Sequence, residues 1–243
     1  MNLIKLNATG STNNYLKNLV KEVLPPDETL VVALEQTAGR GQMGAGWVSK
    51  QGISLTFSVF KCFKNLKASD QFAISMVVSL ALKEALSNLG MPQVFIKWPN
   101  DILSVRKKLC GVLIENVLEG ALIKYSIIGV GLNVNETAFK NLPQATSMYL
   151  EKGSKFDLDE VLTVVAKAVF KNLEDLELKD FHKLKEQYER NLFRKDVISV
   201  FENPQGHRFN GIIKGVSNFG ELLVETESNS LNTYQLKELK LIY

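Results

Sequence analysis

The sequence has few of the residues that form disulfides or bind transition metals. Its 243 residues include only two cysteines, Cys62 and Cys110, and two histidines, His182 and His207. The CxxC, HExxH and EF-hand patterns are absent, so neither a disulfide framework nor a zinc site is expected. We expect a reduced, cytoplasmic protein in which any metal is a Mg²⁺ that arrives with a phosphate ligand.

Long apolar runs and a strong net charge are also missing. No window approaches about 18 apolar residues without charges, and the first segment, MNLIKLNATGST, lacks the apolar core of a signal peptide. The formal net charge of +3 is too small to indicate nucleic-acid binding by itself. With 45% hydrophobic and 23% charged residues, the composition is that of a globular protein. We therefore expect no membrane partner and no DNA partner.

Hydrophobic periodicity predicts helices and strands in the first four fifths of the chain. One helix begins at Ser11 or Thr12, both good caps, and ends before Pro25. Further helices are predicted at 69–90, 157–176 and 179–192, and strands at 29–36, 53–60, 93–98, 111–119 and 121–131. The tight connection at Glu119 and Gly120 favours a hairpin, and hence an antiparallel or mixed sheet.

The sequence after residue 194 reads as four or five short strands with turns between them, which predicts a small β-barrel or sandwich. The expected fold class is α+β, with a mixed, mostly antiparallel sheet and packed helices. We expect two domains, a larger one at 1–193 and a small β domain at 194–243.

The segment GRGQMG at 39–44 has the G-x-G-x-x-G spacing of a dinucleotide-binding loop. That fingerprint also requires a helix after the loop and an acidic residue about twenty positions further on. The next element is a strand, and no Asp or Glu lies between Glu35 and Asp70. P-loop and kinase signatures are absent as well. The loop is either a flexible connector or an anion-binding loop in which glycines let Arg40 approach a ligand.

Five stretches of the sequence are informative together: STN at 11–13, EQTAGRGQ with the following Gly and Trp at 35–47, KWPNDI at 97–102, KKLCGVLIE at 107–115 and IIGVGLNVN at 127–135. In this order they resemble the biotin–protein ligases (biotin–[acetyl-CoA-carboxylase] ligases). KWPND followed by K-L-x-G is specific in combination, and the resemblance covers essentially the whole chain. It implies a class II aminoacyl-tRNA synthetase/biotin ligase-like fold with an SH3-like C-terminal β-barrel. The subgroup without a leading DNA-binding module is the more similar one.

The resemblance implies an ATP-dependent reaction in two steps. The carboxylate of biotin attacks the α-phosphate of ATP, giving biotinyl-5′-AMP and pyrophosphate. A lysine of a biotin carboxyl carrier protein then attacks the mixed anhydride and releases AMP. No protein nucleophile is needed, but cationic groups must stabilise the charged oxygens.

Exposed sheet edges are compatible with a homodimer.

The resemblance also assigns site residues. Those implied for biotin are Ser11, Thr12, Asn13, Gln36, Gly39, Arg40, Gly41, Gln42, Lys108 and Gly111. Those implied for ATP are Arg40, Trp47, Asn100, Lys108 and Asn133. The catalytic set is Arg40, Lys108 and Asp101, and Asp101 is also the candidate ligand for Mg²⁺.

Each assignment has a simpler structural alternative. Ser11 and Thr12 are residue types that cap helices, and Trp47 could be a core residue. The PND segment could be an ordinary turn. Gly111, Gly129 and Gly131 could mark a bulge or kink in a strand. One position departs from the family pattern G-R-G-R, because the neutral Gln42 stands where many relatives carry a second arginine.

Three other functions compete with biotin ligation. A lipoate or octanoate ligase or transferase would use a related scaffold, but the polar STN and Gln36 favour a ureido ring over a plain acyl chain. A nicotinamide-dependent oxidoreductase is disfavoured by the missing helix and acid. The third alternative is a non-catalytic module that binds protein or RNA through the β tail, and no basic and aromatic pattern in the tail supports RNA.

Overall fold

A computed structural model describes residues 1–140 and 142–243. Its larger sheet has seven strands in the order β1-β2-β3-β7-β6-β5-β4. Their bounds are β1 Asn2–Thr9, β2 Thr29–Gln36, β3 Leu55–Cys62, β4 Val94–Lys97, β5 Asp101–Ser104, β6 Lys107–Glu119 and β7 Leu122–Leu132. β1 runs parallel to β2, and every other neighbouring pair is antiparallel. The predicted mixed, mostly antiparallel sheet is confirmed.

The C-terminal part forms a five-stranded antiparallel sheet in the order β11-β10-β9-β8-β12. Its strands are β8 Ile198–Glu202, β9 Arg208–Val216, β10 Leu222–Thr226, β11 Leu231–Tyr234 and β12 Lys240–Ile242. The small C-terminal β domain is therefore confirmed, while the division between 193 and 194 stays a prediction. The helices are α1 Thr12–Glu22, α2 Phe72–Asn88, α3 Met148–Lys152, α4 Leu158–Glu174 and α5 Phe181–Arg190.

The elements β1, β5 and α3 were not predicted from the sequence. β1 is an edge strand with a largely exposed side-chain pattern, so no strongly apolar face marks it. β5 has four residues and α3 has five, which is too short for hydrophobic periodicity to show. The predicted hairpin between β6 and β7 is confirmed, with Glu119 paired to Leu122.

The large sheet is covered on both faces, and strand alternation separates the two cores. Leu30, Val59 and Ile128 belong to the main core, which includes residues of α2 and α4. The neighbouring positions Phe60 and Ile127 point to the other face, where they pack with Leu16 of α1 and with Val31. The beginning of α1 therefore lies over the strands whose later residues form the candidate site.

No helix in the described part of the chain is both long enough and apolar enough to cross a membrane.

Replacing a buried residue of α2 should test the main core. Leu82 is fully buried, and we expect Leu82→Ala to lower the free energy of unfolding by about 2–5 kcal/mol. Denaturant unfolding followed by circular dichroism measures this change. Leu178→Ala is the control, because Leu178 is 87% exposed and should change the unfolding free energy by less than about 0.5 kcal/mol. Equal unfolding midpoints for the two variants would contradict the assignment of α2 to the core.

Candidate active site

The candidate site is a cavity of about 190 Å³ on the α1 face of the large sheet. On its floor, Gly111 of β6 lies opposite Gly131 of β7, and Leu113 lies opposite Gly129. The register of the two strands is regular there, so the alternative interpretation of these glycines as bulges is wrong. Because glycine has no side chain, this face of the sheet stays open beyond the part that α1 covers.

Side chains from other elements fill part of the space above these glycines. A Cβ atom at Gly131 would overlap the Trp47 ring, and a Cβ atom at Gly129 would overlap the amide of Asn13. At Gly111, a Cβ atom would lie 3.2 Å from Lys108 Nζ. The glycines are thus required for the close approach of these side chains to the sheet.

Twelve of the fourteen residues implied by the resemblance line this cavity. They are Ser11, Thr12, Asn13, Gln36, Arg40, Gly41, Gln42, Trp47, Asn100, Asp101, Lys108 and Gly111. Gly39 lies outside the lining, but a Cβ atom there would overlap the carbonyl oxygen of Trp47. Asn133 lines a neighbouring cleft of about 860 Å³, which Asn100 and Asp101 also line.

Gln36 ties the start of α1 to the end of β2. Its Oε1 accepts hydrogen bonds from the backbone N–H of Thr12 at 2.8 Å and from Thr12 Oγ1 at 3.1 Å. Ser11 occupies the N-cap position without a side-chain capping bond. The interpretation of Ser11 or Thr12 as a side-chain cap is therefore wrong, since Gln36 supplies the acceptor. The Ser11 hydroxyl has no hydrogen-bond partner among the described residues and lines the cavity.

Asn13 is buried and held by three neighbours. Its Oδ1 accepts a hydrogen bond from Ser58 Oγ at 2.6 Å. Its Nδ2 donates to Glu115 Oε2 at 2.8 Å and to the Leu113 carbonyl at 3.3 Å. Both amide hydrogens are thus in use, and one lone pair of Oδ1 remains for a ligand N–H group.

The glycine loop is folded as a short hairpin. Trp47 N–H donates to the Gly39 carbonyl at 3.0 Å, and Gly41 N–H donates to the Ala45 carbonyl at 2.6 Å. Lys237, from the C-terminal β domain, donates to the Met43 carbonyl at 3.0 Å. The loop is therefore held by its own backbone and by the small domain, which disfavours the interpretation as a flexible connector.

The Trp47 ring forms a wall of the cavity rather than part of a hydrophobic core. It lies over Gly131 and Gly111, and Lys108 Nζ is 5.6 Å from its centre. Its indole Nε1 is buried without a hydrogen-bond partner in the described structure. A buried N–H group without a partner is costly, so this donor is an unsatisfied polar group at the site.

Two lysines surround the Asp101 carboxylate at the start of β5. Lys108 Nζ lies 2.6 Å from Asp101 Oδ1, an ion pair whose angles are not those of a hydrogen bond, and Lys97 Nζ lies 3.5 Å from Oδ2. The preceding Asn100 donates from Nδ2 to the Val112 carbonyl at 2.8 Å. PND is thus a turn, as one alternative proposed, and the same turn presents Asp101 to Lys108.

The structure does not place Arg40 beside Lys108. The Arg40 guanidinium instead contacts both Glu115 oxygens at 3.3 Å. Gly111, which is next to the Lys108 ammonium, and Glu115 are four positions apart on β6, about 13 Å along an extended strand. In this conformation the Arg40 guanidinium and the Lys108 ammonium therefore lie near different ends of the cavity floor.

A metal site built from protein residues does not emerge in this region. Within residues 1–140 and 142–243, no group of three or more His, Cys, Asp or Glu side chains could hold a metal ion. The Asp101 carboxylate is already paired with two ammonium groups. These ion pairs favour a role for Asp101 as the partner of the two lysines. Its role as a Mg²⁺ ligand stays a prediction.

Ser58 and Glu115 contribute to the site but were not assigned from the sequence. Ser58 lies in β3, where it contacts Asn13 and stands 2.6 Å from Thr12 Oγ1. Glu115 is the last letter of the matched stretch KKLCGVLIE, which was the available signal. Burial alone would raise the pKa of Glu115, but hydrogen bonds from Lys17 and Asn13 and the nearby charges lower it below its ordinary value.

Fold and site together define an α+β domain with a polar, cation-lined cavity, and comparisons identify the family. A model of the biotin/lipoate A/B protein ligase family matches residues 6–133. The biotin protein ligase from Aquifex aeolicus, solved in complex with biotin and ATP, is 30% identical with a TM-score of 0.78. That likeness covers 99% of this chain and 98% of the Aquifex chain.

Curated relatives agree with the structural comparison. The bifunctional ligase/repressor BirA of Bacillus spizizenii is 30% identical over 219 residues, which is 86% of this chain. This chain spans 65% of the length of that relative. The biotin–[acetyl-CoA-carboxylase] ligase of Paracoccus denitrificans is 29% identical over 203 residues, covering 80% of this chain and 82% of the relative.

The chain belongs to the biotin/lipoate A/B protein ligase family. Within that family, the Aquifex and Paracoccus relatives are named as biotin ligases, so the resemblance found in the motifs is confirmed.

Replacing Gly131 should displace the Trp47 ring. In Gly131→Ala the added methyl group overlaps the ring, and relief of that overlap should cost about 1–3 kcal/mol and expose the indole. Tryptophan emission, measured in a Trp98→Phe background, should shift to longer wavelength. Gly10→Ala is the control, because a Cβ atom there meets no heavy atom within 4 Å. Identical emission spectra for the two variants would contradict the proposed packing of Trp47.

Cys110 should resist alkylation while the protein is folded. Burial raises its pKa to about 12, against the opposing charge of Lys108, so the thiolate fraction at pH 8 is about one in ten thousand. We expect iodoacetamide at pH 8 to label the partly exposed Cys62 first, and Cys110 only after unfolding in denaturant. Mass spectrometry of tryptic peptides distinguishes the two sites. Labelling of native Cys110 as fast as Cys62 would show that the thiol is accessible.

Proposed function

We propose that this chain attaches biotin to a lysine of a biotin carboxyl carrier protein, using ATP and forming biotinyl-5′-AMP. One observation carries the proposal. Residues from the STN, glycine-loop, KWPND and K-L-x-G stretches are far apart in the sequence, yet they line one cavity. The similar Aquifex structure, which contains biotin and ATP, supports the same ligands for this cavity.

The ureido ring of biotin would lie near the start of α1. The free hydroxyl of Ser11 can donate to the ureido carbonyl, and the remaining lone pair of Asn13 Oδ1 can accept a ureido N–H. Asn13 stands over Gly129, while Trp47 stands over Gly131, two residues further along β7. An extended ligand lying along β7 would therefore reach from Asn13 to the region of Lys108.

The reacting groups would meet near Lys108 and Trp47. Attack by the biotin carboxylate on the α-phosphate forms one P–O bond and breaks the bond to pyrophosphate. Both substrates are anions, so the ammonium of Lys108 and the guanidinium of Arg40 would reduce their repulsion and stabilise the charge that develops. Asp101 would hold Lys108 in place through its ion pair.

The neighbouring cleft is suited to the rest of the nucleotide. It shares the lining residues Trp47, Asn100 and Lys108 with the cavity, and Asn133 lines its wall. We expect Mg²⁺ to enter with the phosphates of ATP, since Asp101 is already paired with lysines. In the second half-reaction, the amine of the carrier lysine attacks the anhydride carbonyl, AMP leaves, and the amine loses a proton. Because ATP and the carrier are cytoplasmic substrates in this proposal, we place the reaction in the cytoplasm. A homodimer stays an expectation.

A lipoate or octanoate ligase is the second candidate, because the family includes lipoate ligases. A dithiolane ring or alkyl chain offers no N–H or carbonyl group to Ser11 and Asn13. Leaving these polar groups of a buried pocket without partners disfavours such ligands.

Biotin-dependent exchange of labelled pyrophosphate into ATP tests the proposal, and Arg40→Ala tests the role of the loop. We expect exchange with biotin, none with lipoate, and a loss of at least about a hundredfold in Arg40→Ala, because a cation at the reacting oxygens is removed. Arg106→Ala is the matched control, since Arg106 is exposed and outside the cavity. A folded protein without biotin-dependent exchange would refute the function, and full activity of Arg40→Ala would refute the role of Arg40.

A further inference from the structure

A partly buried carboxylate behind the cavity wall joins the biotin pocket to the glycine loop. Glu115 Oε2 accepts from Asn13 Nδ2 at 2.8 Å, and Oε1 accepts from Lys17 Nζ at 2.6 Å. Arg40 Nη2 lies 3.3 Å from both oxygens. The cavity lining, as described, includes neither Glu115 nor Lys17. Glu115 contacts two residues that do line the cavity, Asn13 and Arg40, and Lys17 contacts Glu115.

The two cations on Glu115 are not held equally. Lys17 makes the short contact with a single oxygen, whereas one nitrogen of Arg40 is shared between both oxygens at a longer distance. The Arg40 side chain is 40% exposed and that of Glu115 is 22% exposed. A long, partly solvated contact of this kind is weak, and it can be broken without leaving Glu115 unpaired while Lys17 remains.

We propose that Glu115 is a positioning residue that anchors Arg40 away from Lys108 in the free protein, and that Lys17 loosens this anchor so that Arg40 can turn to the reacting oxygens. The carboxylate also fixes the Asn13 amide, so Glu115 acts on both ends of the bound biotin. This inference rests on the proposed function, because it assigns a conformational step of Arg40 to that reaction.

The proposal makes the effect of Lys17 depend on Glu115. Without Lys17, Arg40 is the remaining cation on Glu115, so the guanidinium should stay on the carboxylate and reach the substrate less often. Without the charge of Glu115, no carboxylate holds Arg40, so the loss of Lys17 should have little effect. A purely structural role for Lys17 predicts that the two substitutions add.

The test is a double-mutant cycle of Lys17→Met, Glu115→Gln and the combined variant, measured by biotin-dependent pyrophosphate exchange. We expect Lys17→Met to lower kcat about tenfold with little change in the KM for biotin. Glu115→Gln should raise the KM for biotin about tenfold, because Asn13 loses a charged acceptor, while kcat falls less than about threefold. In the combined variant, kcat should return to that of Glu115→Gln.

Controls separate this inference from folding and from the proposed function. Lys124→Met removes an exposed lysine that pairs with Glu119 at 2.7 Å outside the site, and it should leave kcat and KM unchanged. Lys17→Gln removes the same charge as Lys17→Met with a different side chain, and thermal melting confirms that each variant is folded. Absence of exchange in the wild type would refute the proposed function. With an active wild type, an unchanged kcat in Lys17→Met, or a combined variant as slow as Lys17→Met, would overturn the role of Glu115.

Discussion

Glycines in register on two central strands leave a gap on one face of the sheet, and the candidate site depends on this gap. Gly111 and Gly131 are paired across β6 and β7, and Gly129 follows on the same face. The side chains that enter the gap come from α1, the glycine loop and β6, so each must approach the sheet backbone closely. A single methyl group at Gly131 would exclude the indole ring that forms the wall of the cavity.

Paired charges are the second organising feature of the site. Lys108 forms an ion pair with Asp101, and Arg40 forms one with Glu115, so each cation is paired with a carboxylate. Each carboxylate has a second lysine, Lys97 or Lys17, so neither is left as an unpaired buried charge when its cation contacts a substrate. In the proposed reaction, the two anionic substrates would therefore meet cations whose mutual repulsion is reduced by these carboxylates.

The motifs identified twelve of the residues that line the cavity, but not how they are arranged. Lys108 and Arg40 follow from K-L-x-G and GRG, because these short patterns fix residue type and local spacing. The distance between the two cations depends on side-chain rotamers and on Glu115, which no local pattern assigns. Similarly, Gln36 rather than Ser11 satisfies the start of α1, because parallel pairing of β1 with β2 brings Gln36 beside Thr9. Contacts of this kind arise between segments that are distant in the sequence and are set by the sheet register.

The C-terminal β domain takes part in the same arrangement through the glycine loop. Lys237 bonds to the Met43 carbonyl, and Gly220 accepts a hydrogen bond from Trp98 Nε1, next to the PND turn. Both contacts reach segments that line the cavity or the neighbouring cleft, so the position of the small domain and the shape of the site are linked. This link bears on Gln42, which stands beside Met43 where many relatives carry arginine. Compared with the pattern G-R-G-R, this loop has one guanidinium fewer to hold an anionic ligand. Its backbone accepts a hydrogen bond from Lys237 of the C-terminal β domain.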